Sequence, residues 1–109
     1  MIVAEFFRKN DEITGFKISG HAGFDQYGRD IACASVSSAV MMTANMITDV
    51  FGYDAAVEVR DSDNGNSIVL KASASGGAFL QKLFEGLVMH ITLLSQEFDG
   101  TIKITFTEV

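Results

Sequence analysis

Proline is absent from the 109 residues, where average usage of about 5% would supply roughly five. Tryptophan is absent too, and there is a single cysteine, Cys33. One thiol cannot build a disulfide framework within the chain, and the zinc patterns that need several cysteines are excluded. A lone thiol without an export signal points to a reducing cytoplasm. Basic residues are scarce: eight Lys and Arg stand against fourteen Asp and Glu, for a formal net charge of −6. That balance argues against a surface made for phosphate backbones or anionic lipid, and it suits a basic partner. Long hydrophobic runs are missing as well. The stretch Leu87 to Leu94 reads as the most apolar, yet it contains His90 and Thr92 and falls short of the ~20 residues of a membrane span. The N-terminal segment meets a charge at Glu5 and does not read as a signal peptide.

What remains is the composition of a folded domain. Hydrophobic residues make up 48% and charged residues 20%, which excludes intrinsic disorder. The length fits one domain over 1–109, able to bury roughly two-thirds of its unfolded surface.

Periodicity divides the chain. Ile2–Lys9 and Ile13–Gly20 read as strands around Asn10-Asp11, which is turn chemistry. Gly20 to Asp30 breaks every periodic pattern and reads as a long, permissive loop. From about Ile31 the period becomes helical, with Val36, Val40, Thr43, Ile47 and Val50 on one buried face. Asp30 is a candidate N-cap and Gly52 a candidate C′ residue, which places Cys33 in the first helical turn. Ala55–Asp61 and Ser67–Ala72 alternate around Asn64-Gly65, a hairpin signal. A second helix is expected from about Gly77 to Phe98 on Leu80, Phe84, Leu87, Ile91, Leu94 and Phe98, ended by Gly100. Thr101–Val109 closes the chain as a strand. The order β-β-α-β-β-α-β implies a two-layer α+β domain, a largely antiparallel sheet covered on one face by two helices.

The residues that carry chemistry are Cys33 and His21. A thiol becomes a good nucleophile when ionised, and a helix N-terminus or a neighbouring imidazolium favours the thiolate. The expected first-turn N–H groups could also hold the oxyanion of a tetrahedral intermediate. A Cys–His pair with a third group orienting the histidine is the general acyl-transfer arrangement, and Asp30 and Asp25 are candidates for that third group. The plain alternative is a small buried cysteine. A metal site from His21, Asp25, Asp30 and Cys33 matches no common ligand spacing, so no metal is expected. No phosphate loop or other cofactor motif is present, so no cofactor is expected. His90, mid-helix among apolar residues, reads as structural. Met41, Met42 and Met46 read as gap fillers in a core or an interface.

Gly20-His21-Ala22-Gly23, followed by Gly28-Arg29-Asp30-Ile31-Ala32-Cys33-Ala34 and then Ser37, resembles the signature of the ribosomal-processing cysteine protease family, Prp. The resemblance covers the whole chain, and Asn45 also falls where that family tends to have an asparagine. Ala32 stands where the family often has valine, a tolerable apolar change. The resemblance implies a homodimeric peptide hydrolase that removes a short N-terminal extension, ending in an apolar, aromatic-rich stretch, from ribosomal protein twenty-seven of the large subunit. It implies Cys33 as nucleophile and His21 as general base, with Asp30 and Ser37 at motif positions of less settled role. It also implies a mobile loop near the site. Gly20, Gly23, Phe24, Tyr27 and Gly28 are accordingly expected to form a substrate-binding loop, with glycine hinges at both ends and the aromatics against the substrate. Neither nucleic acid nor membrane is expected as a direct partner. The competing function is a non-catalytic dimeric binding module or ribosome-assembly adaptor, which would tolerate serine or alanine at position 33. A metal-binding domain is the remaining alternative.

Overall fold

The computed structural model describes residues 1–20, 27–62, 65–73 and 76–109. Five strands form one sheet: β1 (Ile2–Lys9), β2 (Glu12–Ser19), β3 (Ala55–Ser62), β4 (Gly65–Ala72) and β5 (Ile102–Glu108). Their spatial order is β3-β4-β2-β1-β5. Every pair is antiparallel except β1 with β5, which run parallel. Two helices, α1 (Tyr27–Asn45) and α2 (Gly77–Glu97), lie on one face of the sheet. The α+β architecture and the element order therefore follow the sequence reading.

The β1–β2 turn is made by Asn10 and Asp11, at φ 52° and 66°. Two successive positive φ values match the twist of flanking strands, the reason short hairpins favour Asn and Asp there. Alternation then sends Ile2, Ala4 and Phe6 of β1, Phe16 and Ile18 of β2 and Leu70 of β4 into the core, where all are buried. An aromatic chain ties the layers: Phe6 stacks on Phe106 at 5.7 Å and meets Phe16 edge-on at 6.3 Å, and Phe16 meets Phe84 of α2 edge-on at 6.2 Å. Such pairs add about 0.5–1.5 kcal/mol each beyond the area they bury.

α2 follows its sequence pattern closely. Leu80, Phe84, Leu87 and Ile91 are buried, and Leu94 and Phe98 pack partly buried against them. α1 departs from its pattern at both ends. It begins at Tyr27 rather than Ile31, so Asp30 is its fourth residue and not its N-cap, and Cys33 lies in its second turn. Tyr27 and Gly28 are helical, which shortens the expected loop. Glycine and a capping-type aspartate suggested a later start, but local propensity is a weak prior against tertiary packing. At the other end, Met46–Val50 is a π-helical turn, closed by an i→i−5 bond from the Phe51 N–H to the Met46 carbonyl at 2.9 Å. The Thr43 and Thr48 hydroxyls donate to the Ala39 and Ala44 carbonyls, both at 2.8 Å, and competition of this kind loosens a helical ladder. The wider turn rotates Val50 off the buried face. It is 66% exposed, whereas Ile47 is fully buried.

The segment Ile31–Val50 is also long and apolar enough, at a mean hydropathy of 1.4, to cross a membrane. It exceeds Leu87–Leu94 in that respect. Here its Ala32, Val36, Val40, Ala44 and Ile47 form the sheet-facing stripe.

A side-chain clamp secures the end of β2. The β1–β2 register slips at Phe7/Arg8, and β4 pairs with β2 only as far as Gly15. The Ile13 backbone is therefore past the last β4 rung. The Gln81 amide of α2 satisfies both of its groups: the Ile13 N–H donates to Gln81 Oε1 at 2.9 Å, and Gln81 Nε2 donates to the Ile13 carbonyl at 2.8 Å. Gln81→Ala leaves both half-buried groups without this partner and should lower stability by about 1–3 kcal/mol. A denaturant midpoint equal to that of the unmodified chain would show the clamp to be dispensable.

Candidate active site

The stripe that buries α1 fixes where its thiol points. Ala32, Val36 and Val40 face the sheet. Cys33, Ser37 and Met41, at i, i+4 and i+8, form the adjacent stripe along the same side of the helix. These three residues wall one side of a cavity of about 180 Å³. The other side is the β3–β4 hairpin, through Val59, Asn66, Ser67 and Ile68, and the floor includes Ile2 and Ile18. Cys33 is half-buried and carries a free thiol. The site is thus an apolar recess with a thiol and the Ser37 hydroxyl on one wall and an asparagine and a serine on the other.

Gly20 completes the rim. It ends the β2 segment with φ +82°, and a Cβ at this position would collide with the Met1 carbonyl oxygen. Only glycine fits both the left-handed angle and the close approach of the neighbouring backbone. His21 follows Gly20 directly in sequence. His21, Gly23, Phe24 and Asp25 lie outside the described residues. Tyr27, Gly28 and Asp30 belong to the first turn of α1.

The revised helix start changes one expectation. Cys33 is the seventh residue of α1, so its own N–H belongs to the helical ladder and is not among the free first-turn donors. An oxyanion pocket made by the Cys33 N–H at a helix terminus is not what this backbone offers. Other residues singled out from the sequence are not brought to the cavity. Asn45 is twelve residues beyond Cys33 on the same helix, a rise of about 18 Å along the axis. His90 is exposed on α2 and lines a separate groove between the two helices with Met42, Met46 and Leu83. Met41 and Met42 are 49% and 66% exposed, which excludes the core half of the expectation for them. Met41 belongs to the wall of the thiol cavity, which its i+8 spacing from Cys33 could have revealed. The hairpin wall had no comparable signal, because it depends on sheet order. Among the described residues no group of three or more His, Cys, Asp and Glu could hold a metal ion.

The family model for Cysteine protease Prp matches residues 1–103. The chain belongs to the Prp cysteine protease family. It is therefore a peptide hydrolase of the cysteine class. Curated relatives include the ribosomal processing cysteine protease Prp of Bacillus subtilis, 24% identical over 108 residues and covering 96% of each chain. The Prp of Staphylococcus aureus is 22% identical over 99 residues, covering 89% of this chain and 92% of its own. Among solved structures, SMU.848 from Streptococcus mutans superposes with a TM-score of 0.88 at 26% identity, covering 100% of this chain and 96% of its own. The Prp of S. aureus with a covalently linked product peptide superposes with a TM-score of 0.78 at 19% identity, covering 98% and 100%. These two likenesses confirm the fold along its whole length.

Gly20 supplies a direct check on the geometry of a Prp site in this chain. Gly20→Ala forces either a strained positive φ or displacement of the first residues of β1, at a cost of about 1–3 kcal/mol. Peptidase activity should fall more than stability does, since the same backbone leads to His21. A variant with unchanged melting and unchanged turnover would show that this backbone angle is not needed.

Proposed function

We propose that this protein is the processing protease that removes an apolar N-terminal extension from the precursor of large-subunit ribosomal protein twenty-seven, with Cys33 as nucleophile and His21 as general base. The observation that carries the reading is the placement of the chain's one cysteine in the wall of an apolar recess, in a chain of the Prp family. The relatives named above are ribosomal processing enzymes, and S. aureus Prp has been crystallised with a substrate peptide. The net charge of −6 favours encounter with a basic ribosomal protein and is at home in the cytoplasm where ribosomes are assembled.

In this mechanism the Cys33 sulfur attacks the scissile carbonyl carbon while His21 takes the thiol proton. Collapse of the tetrahedral intermediate breaks the C–N bond, and His21 returns the proton to the departing amine. The thioester left on Cys33 is hydrolysed when His21 takes a proton from water and the hydroxide adds to the acyl carbon. The thiol is regenerated and the extension leaves as a carboxylic acid. Gly23 and Phe24, together with Tyr27 and Gly28 at the start of α1, are assigned to substrate contact, and Asp30 and Ser37 to support of the pair.

Incubating the chain with the precursor and reading intact mass tests the assignment. Cys33→Ala removes one half-buried sulfur, so cleavage should vanish while the melting temperature stays within a few degrees. His21→Ala should lower kcat/KM by several orders of magnitude and alter its pH profile. Precursor processing by Cys33→Ala at a near-normal rate would overturn the nucleophile.

A homodimer built on α2 completes the proposal. Phe79, Met89 and Leu93 are 73%, 60% and 56% exposed, and with half-buried Leu83 and open Gly86 they lie on one side of the helix. An isologous contact must be self-complementary. An antiparallel pair of α2 helices crossing at Gly86 meets that condition, since it sets Phe79 over the Leu93 of a second copy and Leu83 over its Met89. Gly86→Glu, whose Cβ meets nothing within 4 Å among the described residues, should yield a folded monomer by light scattering at micromolar concentration. A monomeric mass for the unmodified chain under the same conditions would remove the dimer.

A further inference from the structure

β3 is an edge strand, and among the described residues no strand pairs with its outer side. The Ser73 N–H donates to the Asp54 carbonyl at 2.9 Å, and the β3–β4 register continues as Ala55↔Ala72, Ala56↔Lys71, Val57↔Leu70. In an antiparallel ladder, hydrogen-bonded and non-hydrogen-bonded pairs alternate. Asp54, Ala56 and Glu58 therefore spend their backbone groups on β4. Ala55, Val57 and Val59 turn their N–H and C=O outward along the free edge.

The same three residues face the helix side of the sheet, because Val57 pairs with buried Leu70 and Val59 with Ile68. Yet no helix covers them well: Val57 is 42% exposed and Val59 65%. The opposite edge differs. On β5, Ile102 and Ile104 are packed against the core. Edge strands are commonly guarded by inward charges, proline or a bulge. From Ala55 to Val59 the inward positions are all apolar, and the β3–β4 register runs unbroken. The charged residues Glu58 and Arg60 stand on the opposite face of β3 and pair with each other at 2.8 Å, so the apolar face of this edge runs on into the thiol cavity, which Val59 lines together with Cys33.

We propose that the extended peptide substrate adds to the sheet as a sixth strand along β3. Its backbone pairs with Val57 and Val59. Its alternate side chains cover those two valines, and the chain passes from the Val59 end into the cavity beside Cys33. Main-chain pairing of this kind supplies affinity that depends little on side-chain identity, while the pockets on one face read every second residue. From Ala55 to Val59 the edge is long enough for about four to five residues at roughly 3.3 Å each. The inference rests on the proteolytic reading above and assigns how that site holds its substrate.

A series of peptides spanning the precursor's cleavage site, each N-methylated at one residue, tests it on the unmodified enzyme. Strand addition predicts a run in which every second N-methyl group raises KM by about tenfold or more, the loss of a single hydrogen bond and the intrusion of a methyl group. Methylation at the intervening residues should leave KM within about twofold. Val57→Pro removes an outward N–H without touching the β4 ladder and should raise KM by a similar factor at constant kcat, whereas Val57→Thr, which keeps the N–H, should not. Cleavage of the parent peptide with no period-two pattern in the methylated series overturns strand addition and leaves the protease standing. Failure to cleave the parent peptide at all overturns both. If Val57→Pro does not fold, the methylated series on the unmodified enzyme still decides.

Discussion

The burial of one stripe of α1 against the sheet is the constraint on which the rest of the molecule depends. Ala32, Val36, Val40, Ala44 and Ile47 are each at most 4% exposed, and a helix can turn only one face inward. Once that stripe is down, Cys33, Ser37 and Met41 have no freedom to point elsewhere. Core packing of the neighbouring stripe is enough to set the direction in which the thiol points. Ala32 and Ala44 are the small residues of this stripe, and Ala4 of β1 is fully buried in the same core. Bulkier residues there would lift the helix and open the recess.

Strand order then decides what faces the thiol. The chain crosses from β2 through α1 to β3 at the far edge, and only then fills the gap with β4. As a result the β3–β4 hairpin, distant from Cys33 in sequence, becomes the opposing wall. Among the described residues, Asn66 and Ser67 are the polar groups that the hairpin contributes to a mostly apolar lining.

Much of this was legible in the sequence because it rests on local periodicity. The 4-3 repeat of α2 and the alternation in β1 and β2 translate directly into buried faces, whereas in β5 Ile102 and Ile104 are half-buried and Phe106 is exposed. The family was legible too, since Gly20-His21-Ala22-Gly23 followed by Asp30-Ile31-Ala32-Cys33-Ala34 is a specific pattern, and the family model matches residues 1–103. What failed was decided beyond the local window. The start of α1 at Tyr27 runs against a glycine and a capping-type aspartate. The π turn at Met46–Val50, where Val50 is exposed, interrupts a repeat that reads as continuous helix. The wall at Val59 and Ile68 depends on sheet order, which the chain does not encode in any short segment. The place of Met41 stayed open between core and interface because a methionine on an apolar helix looks alike whether it faces a core, a partner or a cavity.

The parallel pairing of β1 with β5 has a practical side. Ile2 stands beside Ile102 and Arg8 beside Glu108, so the two termini lie at opposite poles of the sheet, about 20 Å apart at the rise of a β-strand. Met1 reaches the rim of the thiol recess through its contact with Gly20, while Val109 is 65% exposed at the other pole. A fusion, tether or dye attached before Met1 emerges beside the recess and competes with an arriving peptide for space. The same group attached after Val109 stands clear of it, which makes the carboxyl end the natural handle for immobilising a working enzyme.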